Sequence, residues 1–372
     1  MKKWAWSGVL AVILVTLAIL PVSAAPKTAA GHGPAGGSKP LEDPGAAAKG
    51  YQVERQSPSS QERNGDSGAG REKPLLAFPV ISDIHVQWWH EPSQTKFTNA
   101  LNDLHAINPN ADALVINGDL GDGMPADYDK LAELLGQTPH PSNMFYTIGN
   151  HEFYKAWHDA DGNWNSDTYP NGESDQDSLQ RFLNYTGEKK VYHDAMVKGY
   201  HFIFLGSEQY RQSDPNNLED AYLSDEQLDW LKKTLKKGAG SDKPIFVFLH
   251  QPLPYTVSGT SFCCVNNRAI IQHEALKAIL SDYPQVVFFS GHTHWELKLP
   301  GTLVRDKFTM VNSSSVAQPW TDDGNGGEML AGPDDSEGLY VEVYKDKVKI
   351  QGRDFYRQRW VPEAQFTIPI GK

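Results

Sequence analysis

Five clusters of metal-binding side chains stand along the chain: Ser82-Asp83-Ile84-His85, Asn117-Gly118-Asp119-Leu120-Gly121-Asp122, Gly149-Asn150-His151-Glu152, a lone His250, and Gly291-His292-Thr293-His294. Carboxylate, imidazole and amide oxygen are borderline-to-hard ligands that suit Mn, Fe, Zn or Co. No thiolate falls in the pattern, which disfavours a structural zinc site. Asp83 and His85 are two residues apart, as are His292 and His294, so in extended chain each pair points to one side. Glycines 118, 149 and 291 directly precede Asp119, Asn150 and His292. There they let the backbone turn sharply off a strand and come close to a bound ion.

Each cluster follows a short apolar run, over residues 77–81, 113–116, 144–148, 245–249 and 286–289. The runs are β-branched or aromatic at successive positions, as strands buried on both faces are. Helical-period segments lie at 93–107, 126–136, 224–237 and 271–283. Ser224 with Gln227 predicts a capping box at the third. Further strands are expected at 191–197, 200–206, 308–312, 338–344 and 347–355. Strands alternating with helices, then strand-rich sequence, indicate an α/β domain with at least one mixed sheet. Sites in open α/β sheets form beyond the carboxyl ends of strands, so the five runs are expected to deliver their ligands to one edge of one sheet.

The order D-x-H, G-D-x-x-D, G-N-H-E, single His, G-H-x-H resembles the calcineurin-like metallophosphoesterase superfamily, across about residues 75–355. One such block is common by chance; five in order, each behind a buried strand, are specific. The resemblance implies two mixed sheets packed face to face with helices outside (α/β/β/α). It implies a hydrolase of phosphate esters with two divalent ions (Mn, Fe or Zn) and a bridging hydroxide as nucleophile. Asp83, His85 and His294 would bind the first ion, Asn150, His250 and His292 the second, and Asp119 both. His151 would face the substrate and protonate the leaving oxygen or stabilise its charge. Glu152 would support that histidine, with Asp122 as a further supporting group. Two dications against two aspartates and one hydroxide leave about one positive charge to attract a phosphate. Two ions about 3.5–4 Å apart lower the pKa of a shared water and clamp the attacking and leaving oxygens. A positioned histidine acid adds about 10²–10⁴ in rate.

Departures from relatives narrow the reading. Purple acid phosphatases carry a tyrosine ligand where Asp122 stands, so a coloured tyrosinate–iron centre is not expected. Only about 78 residues follow His294, too few for the large second domain of secreted 5′-nucleotidases. The pattern resembles the cyclic-nucleotide and glycerophosphodiester branch as much as any phosphatase branch, a slight lean to diesters over monoesters. The substrate would be a small phosphate ester or a cell-envelope polymer. A non-catalytic binding scaffold is the rival from another class, and the complete ligand set argues against it.

Lys2 and Lys3, the apolar stretch 8–20 and Val22-Ser23-Ala24 read as a secretory signal over 1–24, with an uncleaved anchor as the alternative. A secreted protein is expected, with no stable membrane insertion after cleavage. Residues 25–73 are poor in large apolar side chains and read as a disordered linker, leaving 74–372 as the catalytic domain. The net charge of −12, without a basic stripe, argues against nucleic-acid binding. The two cysteines, Cys263 and Cys264, are adjacent, so no disulfide framework exists. A vicinal disulfide, free thiols and an intermolecular bond all remain open. Neighbouring Cα atoms are about 3.8 Å apart, below the usual disulfide range of about 4.4–6.8 Å. The long segments 153–188 and 251–268 are expected to shape specificity. Arg268 is a candidate phosphate contact, with a surface salt bridge as the bland reading. Trp88, Trp89, Trp157, Trp164, Trp295 and Trp320 are read chiefly as packing residues, with the wall of a substrate pocket as the alternative.

Overall fold

Residues 52–53, 72–238, 243–261 and 268–371 are described in a computed structural model, and they belong to the unit Pro44–Lys372. The expected signal segment, most of the expected linker, and Cys263-Cys264 lie outside the described residues. The strands are β1 (Gln52–Val53), β2 (Leu76–Ile81), β3 (Leu114–Asn117), β4 (Met144–Thr147), β5 (His193–Val197), β6 (Tyr200–Phe204), β7 (Ile245–Phe248) and β8 (Val286–Ser290). They continue with β9 (Leu303–Arg305), β10 (Thr309–Asn312), β11 (Trp320–Asp322), β12 (Glu328–Leu330), β13 (Glu337–Val343), β14 (Lys347–Asp354) and β15 (Arg359–Pro369). The helices are α1 (Glu91–Ile107), α2 (Pro125–Gln137), α3 (Asp175–Thr186), α4 (Asp225–Gly238) and α5 (His273–Ser281).

The strands make two mixed sheets. One runs β15-β14-β13-β2-β3-β4, with β2, β3 and β4 parallel. The other runs β1-β9-β10-β8-β7-β6-β5, with β6, β7, β8 and β10 parallel. This corrects the expectation of one sheet edge: β2, β3 and β4 belong to the first sheet, and β7 and β8 to the second. Runs that are apolar on both faces show that a strand is buried; they carry no label for the sheet it joins.

Period-two alternation sorts the side chains. Leu76, Phe78 and Val80 of β2 share an apolar cluster with Phe202, Phe204, Phe246, Phe248, Val287 and Phe289. Phe78 meets Phe202 and Phe246 across the two sheets, ring centroids 4.8 and 5.0 Å apart. This layer joins the sheets face to face, and Phe78→Ala there would cost about 3–5 kcal/mol. The alternate residues, Ala77, Ile81, Ile203, Val247 and Phe288, enter a second cluster. Into it the helices send stripes spaced three and four apart, such as Phe97, Leu101 and Leu104 of α1 and Leu228, Leu231 and Leu235 of α4.

Three local differences from expectation have physical causes. β1 pairs antiparallel with β9, so part of the expected linker lies on a sheet edge. Ser224 accepts from the Gln227 amide at 3.2 Å, but the Gln227 side chain bonds Gly206 and Glu208 instead of closing the capping box. The segment expected as one long loop after Glu152 contains α3, opened by a closed capping box between Ser174 and Asp177 and ended by Gly187 at φ 77°.

Candidate metal centre

All five clusters leave the carboxyl ends of strands and converge. The turns after β2 and β3 are zipped by Asp83 N–H to Gly118 O (3.1 Å), His85 N–H to Asp119 O (3.1 Å) and Val86 N–H to Leu120 O (2.7 Å). The turns after β7 and β8 are joined by Gly291 N–H to His250 O at 2.9 Å. Asn117 ties the two sheets together at this point. Its amide donates to Leu249 O (3.2 Å) and Phe289 O (3.4 Å) and accepts from Thr147 (2.9 Å).

The backbone at the site is strained. Asp83, His85, Asp119, His292 and His294 have φ of 52°, 41°, 54°, 67° and 57°. Such left-handed residues are uncommon outside glycine and cost about 1–3 kcal/mol each, so the surrounding bonds must hold them. The three glycines admit the close approach. A Cβ on Gly149 would strike Asp119, one on Gly118 would strike His250, and one on Gly291 would strike Ser82.

The turns bring the expected ligands together in two groups: Asp83, His85, Asp119 and His294, and Asp119, His250 and His292. Asp119 belongs to both. Its Oδ2 lies 3.1 Å from His250 Nε2 and 3.9 Å from His85 Nε2. Asp83 Oδ1 lies 2.8 Å from His294 Nε2, and the Nε2 atoms of His85 and His294 face each other at 3.3 Å. His250 Nδ1 donates to Asn117 O (2.8 Å) and His294 Nδ1 to Gln318 O (2.9 Å). Those bonds fix a proton on each Nδ1 and turn each Nε2 toward the site, where a metal would take the place of any proton it carries. Asn150, expected as a ligand of the second ion, donates from Nδ2 to Glu219 at 3.0 Å, leaving Oδ1 as the acceptor.

The donor set fits divalent ions. Asn150 Oδ1, His250 Nε2 and His292 Nε2 are buried without a hydrogen-bond partner, and an unpaired buried polar atom is costly. Burial opposes the charge on Asp83, but His294 and His250 outweigh it and bring its pKa down to about 2. Burial likewise opposes Asp119, and His250 and His151 hold it well below the usual carboxylate range. The two ionised carboxylates in turn hold His250 up at about 10, against its burial. Two buried carboxylates are thus kept ionised against histidine, and a bound cation could take the place of the histidine proton.

His151 stands beside these groups. Its Nδ1 bonds Asp122 Oδ1 at 2.8 Å, its Nε2 lies 4.0 Å from Asp119 Oδ2, and its ring meets the edge of His85 at 4.5 Å. Burial works against its charge, yet Asp119 and Asp122 push it up to about 9. A third grouping, His85, Asp122 and His151, is this same contact. Asp122 also accepts from Gln87 Nε2.

Glu152 departs from its expected part. It is fully buried, and its carboxylate accepts from the backbone N–H of Asp119 (3.2 Å), Leu120 (2.7 Å) and Gly149 (2.5 Å). It braces the turns that carry Asp119 and Asn150, while Asp122 holds the His151 ring. His151–Trp157 form a short 3₁₀ helix, and the Glu152 carboxylate is taken up by the three backbone amides. Arg268 lies close enough to His292 for its charge to oppose protonation there, after burial and His250. Glu219 and Asn117 escaped the sequence reading. Glu219 follows no strand and no glycine, and Asn117 stood in a quoted cluster whose only marked ligand was Asp119.

A family model described as calcineurin-like phosphoesterase matches residues 77–296. No curated protein matches the chain. Among solved structures, a dimetal phosphatase from Danio rerio superposes with a TM-score of 0.55 at 15% identity, covering 80% of this chain and 100% of that one. A purple acid phosphatase from yellow lupin (Lupinus luteus) seeds gives a TM-score of 0.50 at 12% identity, covering 79% of this chain and 53% of that one. These two likenesses show the fold, and they agree with the two-sheet architecture. With the family match spanning more than half its length, the chain belongs to the calcineurin-like phosphoesterase family and is a phosphoric ester hydrolase.

Proposed function

We propose that the protein hydrolyses phosphodiesters in preference to monoesters at a dinuclear metal centre. Asp83, His85 and His294 would hold one divalent ion and Asn150, His250 and His292 the other, with Asp119 shared. The observation that carries this reading is Asp119 Oδ2, placed between the two histidine groups. Held there, a pair of Mn, Fe or Zn ions would supply a hydroxide nucleophile and the positive charge that screens phosphate oxygens.

The chain's own residues supply the rest. Asp122 accepts from His151 Nδ1, so the proton available to a substrate is on Nε2, which faces the centre. His151 gives that proton to the leaving oxygen. Gln87 holds the other Asp122 oxygen and so fixes the carboxylate. Arg268, on the His292 side, would contact a non-bridging phosphate oxygen. The lean to diesters rests on the motif pattern alone, since His151 would serve the alkoxide leaving group of a monoester as well as that of a diester.

Purified protein assayed with Mn²⁺ on p-nitrophenyl phosphate and bis-p-nitrophenyl phosphate tests this. The expected result is hydrolysis of both with a higher kcat/KM for the diester. A higher value for the monoester would make the protein a phosphomonoesterase. No hydrolysis of either would support the scaffold reading. Among the described residues no helix is long and apolar enough to cross a membrane. We further infer export, from the segment 1–24, and N-terminal sequencing of protein from culture medium tests it. Retention of residue 1 on cell-associated protein would argue for an anchor instead.

A further inference from the structure

Beyond His151 stands a wall of aromatic rings that the metal chemistry does not use. His151 lies flat on Tyr154, centroids 3.8 Å apart at 26°. Tyr154 meets Trp164 edge to face at 6.1 Å. Trp164 stacks on Trp157 at 5.4 Å and 7°, and Trp157 packs on Tyr169 at 4.1 Å. Trp164 nevertheless keeps 55% of its surface exposed. Tyr154 stands between it and His151, so the open indole face is a surface that a ligand reaching past His151 can cover.

The exposure is not that of a loose loop tip. Asn165 N–H donates to Trp157 O at 2.7 Å, and His158 and Trp164 form a β-bridge. The Asn171 amide donates to both Ala156 O (2.8 Å) and Asn165 O (3.0 Å). Arg211 lies over the Trp157 ring at 5.4 Å and pairs with Glu219, the residue that orients Asn150. The wall is therefore held in place and linked to the metal-binding turn. A rigid aromatic face binds planar rings at low entropic cost.

Position sets which part of the substrate meets the wall. In the reading above, on which this inference rests, His151 acts on the leaving oxygen, so the leaving group extends over His151 toward Tyr154 and Trp164. We infer that Trp164 is a specificity residue that stacks on a planar aromatic ring in the leaving group, of the size found in a nucleoside. Tyr154 and Trp157 position it.

A matched pair of ligands isolates the ring. Adenosine 5′-monophosphate and ribose 5-phosphate are both phosphomonoesters of a ribose 5′-hydroxyl and differ by the base. Each is measured with the Mn²⁺-loaded protein as substrate and as competitive inhibitor of bis-p-nitrophenyl phosphate hydrolysis. The expected result is a KM or Ki about ten-fold lower for the nucleotide. Trp164→Ala should bring that ratio near one, and Trp164→Phe should keep most of it. Equal constants in the unmodified protein, or a ratio untouched by Trp164→Ala, would overturn the inference. Quenching of tryptophan fluorescence by the nucleotide, but not by ribose 5-phosphate, reads the same contact without turnover. A protein that hydrolyses nothing yet shows the selective quench would sink the catalytic reading and keep the stacking site. Hydrolysis of the aryl esters without the selective quench would do the reverse.

Discussion

His250 Nδ1 donates a hydrogen bond to the backbone carbonyl of Asn117 at 2.8 Å, joining the end of one sheet to the end of the other. The same carbonyl accepts from Ser82 Oγ at 2.7 Å. One residue at the close of β3 thus sets the tautomer of a candidate ligand from the opposite sheet and holds the turn that carries Asp83. The candidate metal centre lies on the seam between the sheets, and these hydrogen bonds tie the seam in front of the apolar layer that joins the sheets.

Asn117→Ala tests the seam. The carbonyls of Leu249 and Phe289 and the Thr147 hydroxyl would lose their side-chain partner. A loss of about 1–3 kcal/mol is expected, read as a lower Tm, together with weaker Mn²⁺ binding because the two ligand groups are no longer held in register. Unchanged melting and unchanged Mn²⁺ affinity would mean that the seam needs no side-chain tie.

His151 and Asp122 are expected to act on the leaving group and not on the ions. His151→Ala should retain metal and lose about 10²–10⁴ in kcat on alkyl esters, with a smaller loss on p-nitrophenyl esters, whose leaving group needs little protonation. Asp122→Asn should show the same dependence more weakly, because it frees the ring without removing it. A series of esters with graded leaving-group pKa measures this. Equal losses across the series would remove the acid role and leave charge stabilisation.

Glu152→Gln separates bracing from catalysis. An amide offers one acceptor oxygen and turns an N–H toward the backbone donors of Asp119, Leu120 and Gly149. A destabilisation of about 1–3 kcal/mol is expected, with activity lost equally for all leaving groups. Thermal melts and the same ester series check both. A loss that tracks leaving-group pKa would return Glu152 to the proton chemistry.

Glu337 gives a pH test away from the ligands. Burial, with Glu296 and Asp354 nearby, pushes its carboxyl up to about 7 against bonds from Leu297 N–H and Ser314. The folded pKa exceeds the ordinary value of 4.5, so the folded state binds the extra proton between them. Its contribution is therefore greatest below pH 4.5 and is lost as pH rises to about 7. Glu337→Gln should flatten the fall in Tm between pH 4.5 and about 7. The same slope in both proteins would place the pH dependence elsewhere.

Much of the centre was legible because metal ligands must follow strands through tight turns. Gly118, Gly149 and Gly291 marked the places where a Cβ would strike a neighbour, and Asp119 and His292, which follow the first and the last of them, are among the residues brought together. What was not legible depends on contacts distant in sequence. Nothing near Glu219 marks it as the partner of Asn150, 69 residues away. The assignment of β7 and β8 to a second sheet depends on pairing, which an apolar run does not encode. α3 did carry a local signal, Ser174 with Asp177 ahead of Leu179, Phe182 and Leu183, and the many polar residues around it concealed the helical period.

The most direct measurement is a Mn²⁺ titration of chelator-treated protein, with bound metal and bis-p-nitrophenyl phosphate hydrolysis followed together. Activity is expected to be absent after chelation and to rise to a plateau at about two equivalents per chain. Asp119→Asn should bind far less metal and stay inactive, because Asp119 is the one residue shared by both ligand groups. Full activity in the chelated protein, or two equivalents bound to an active Asp119→Asn variant, would contradict a centre built around Asp119.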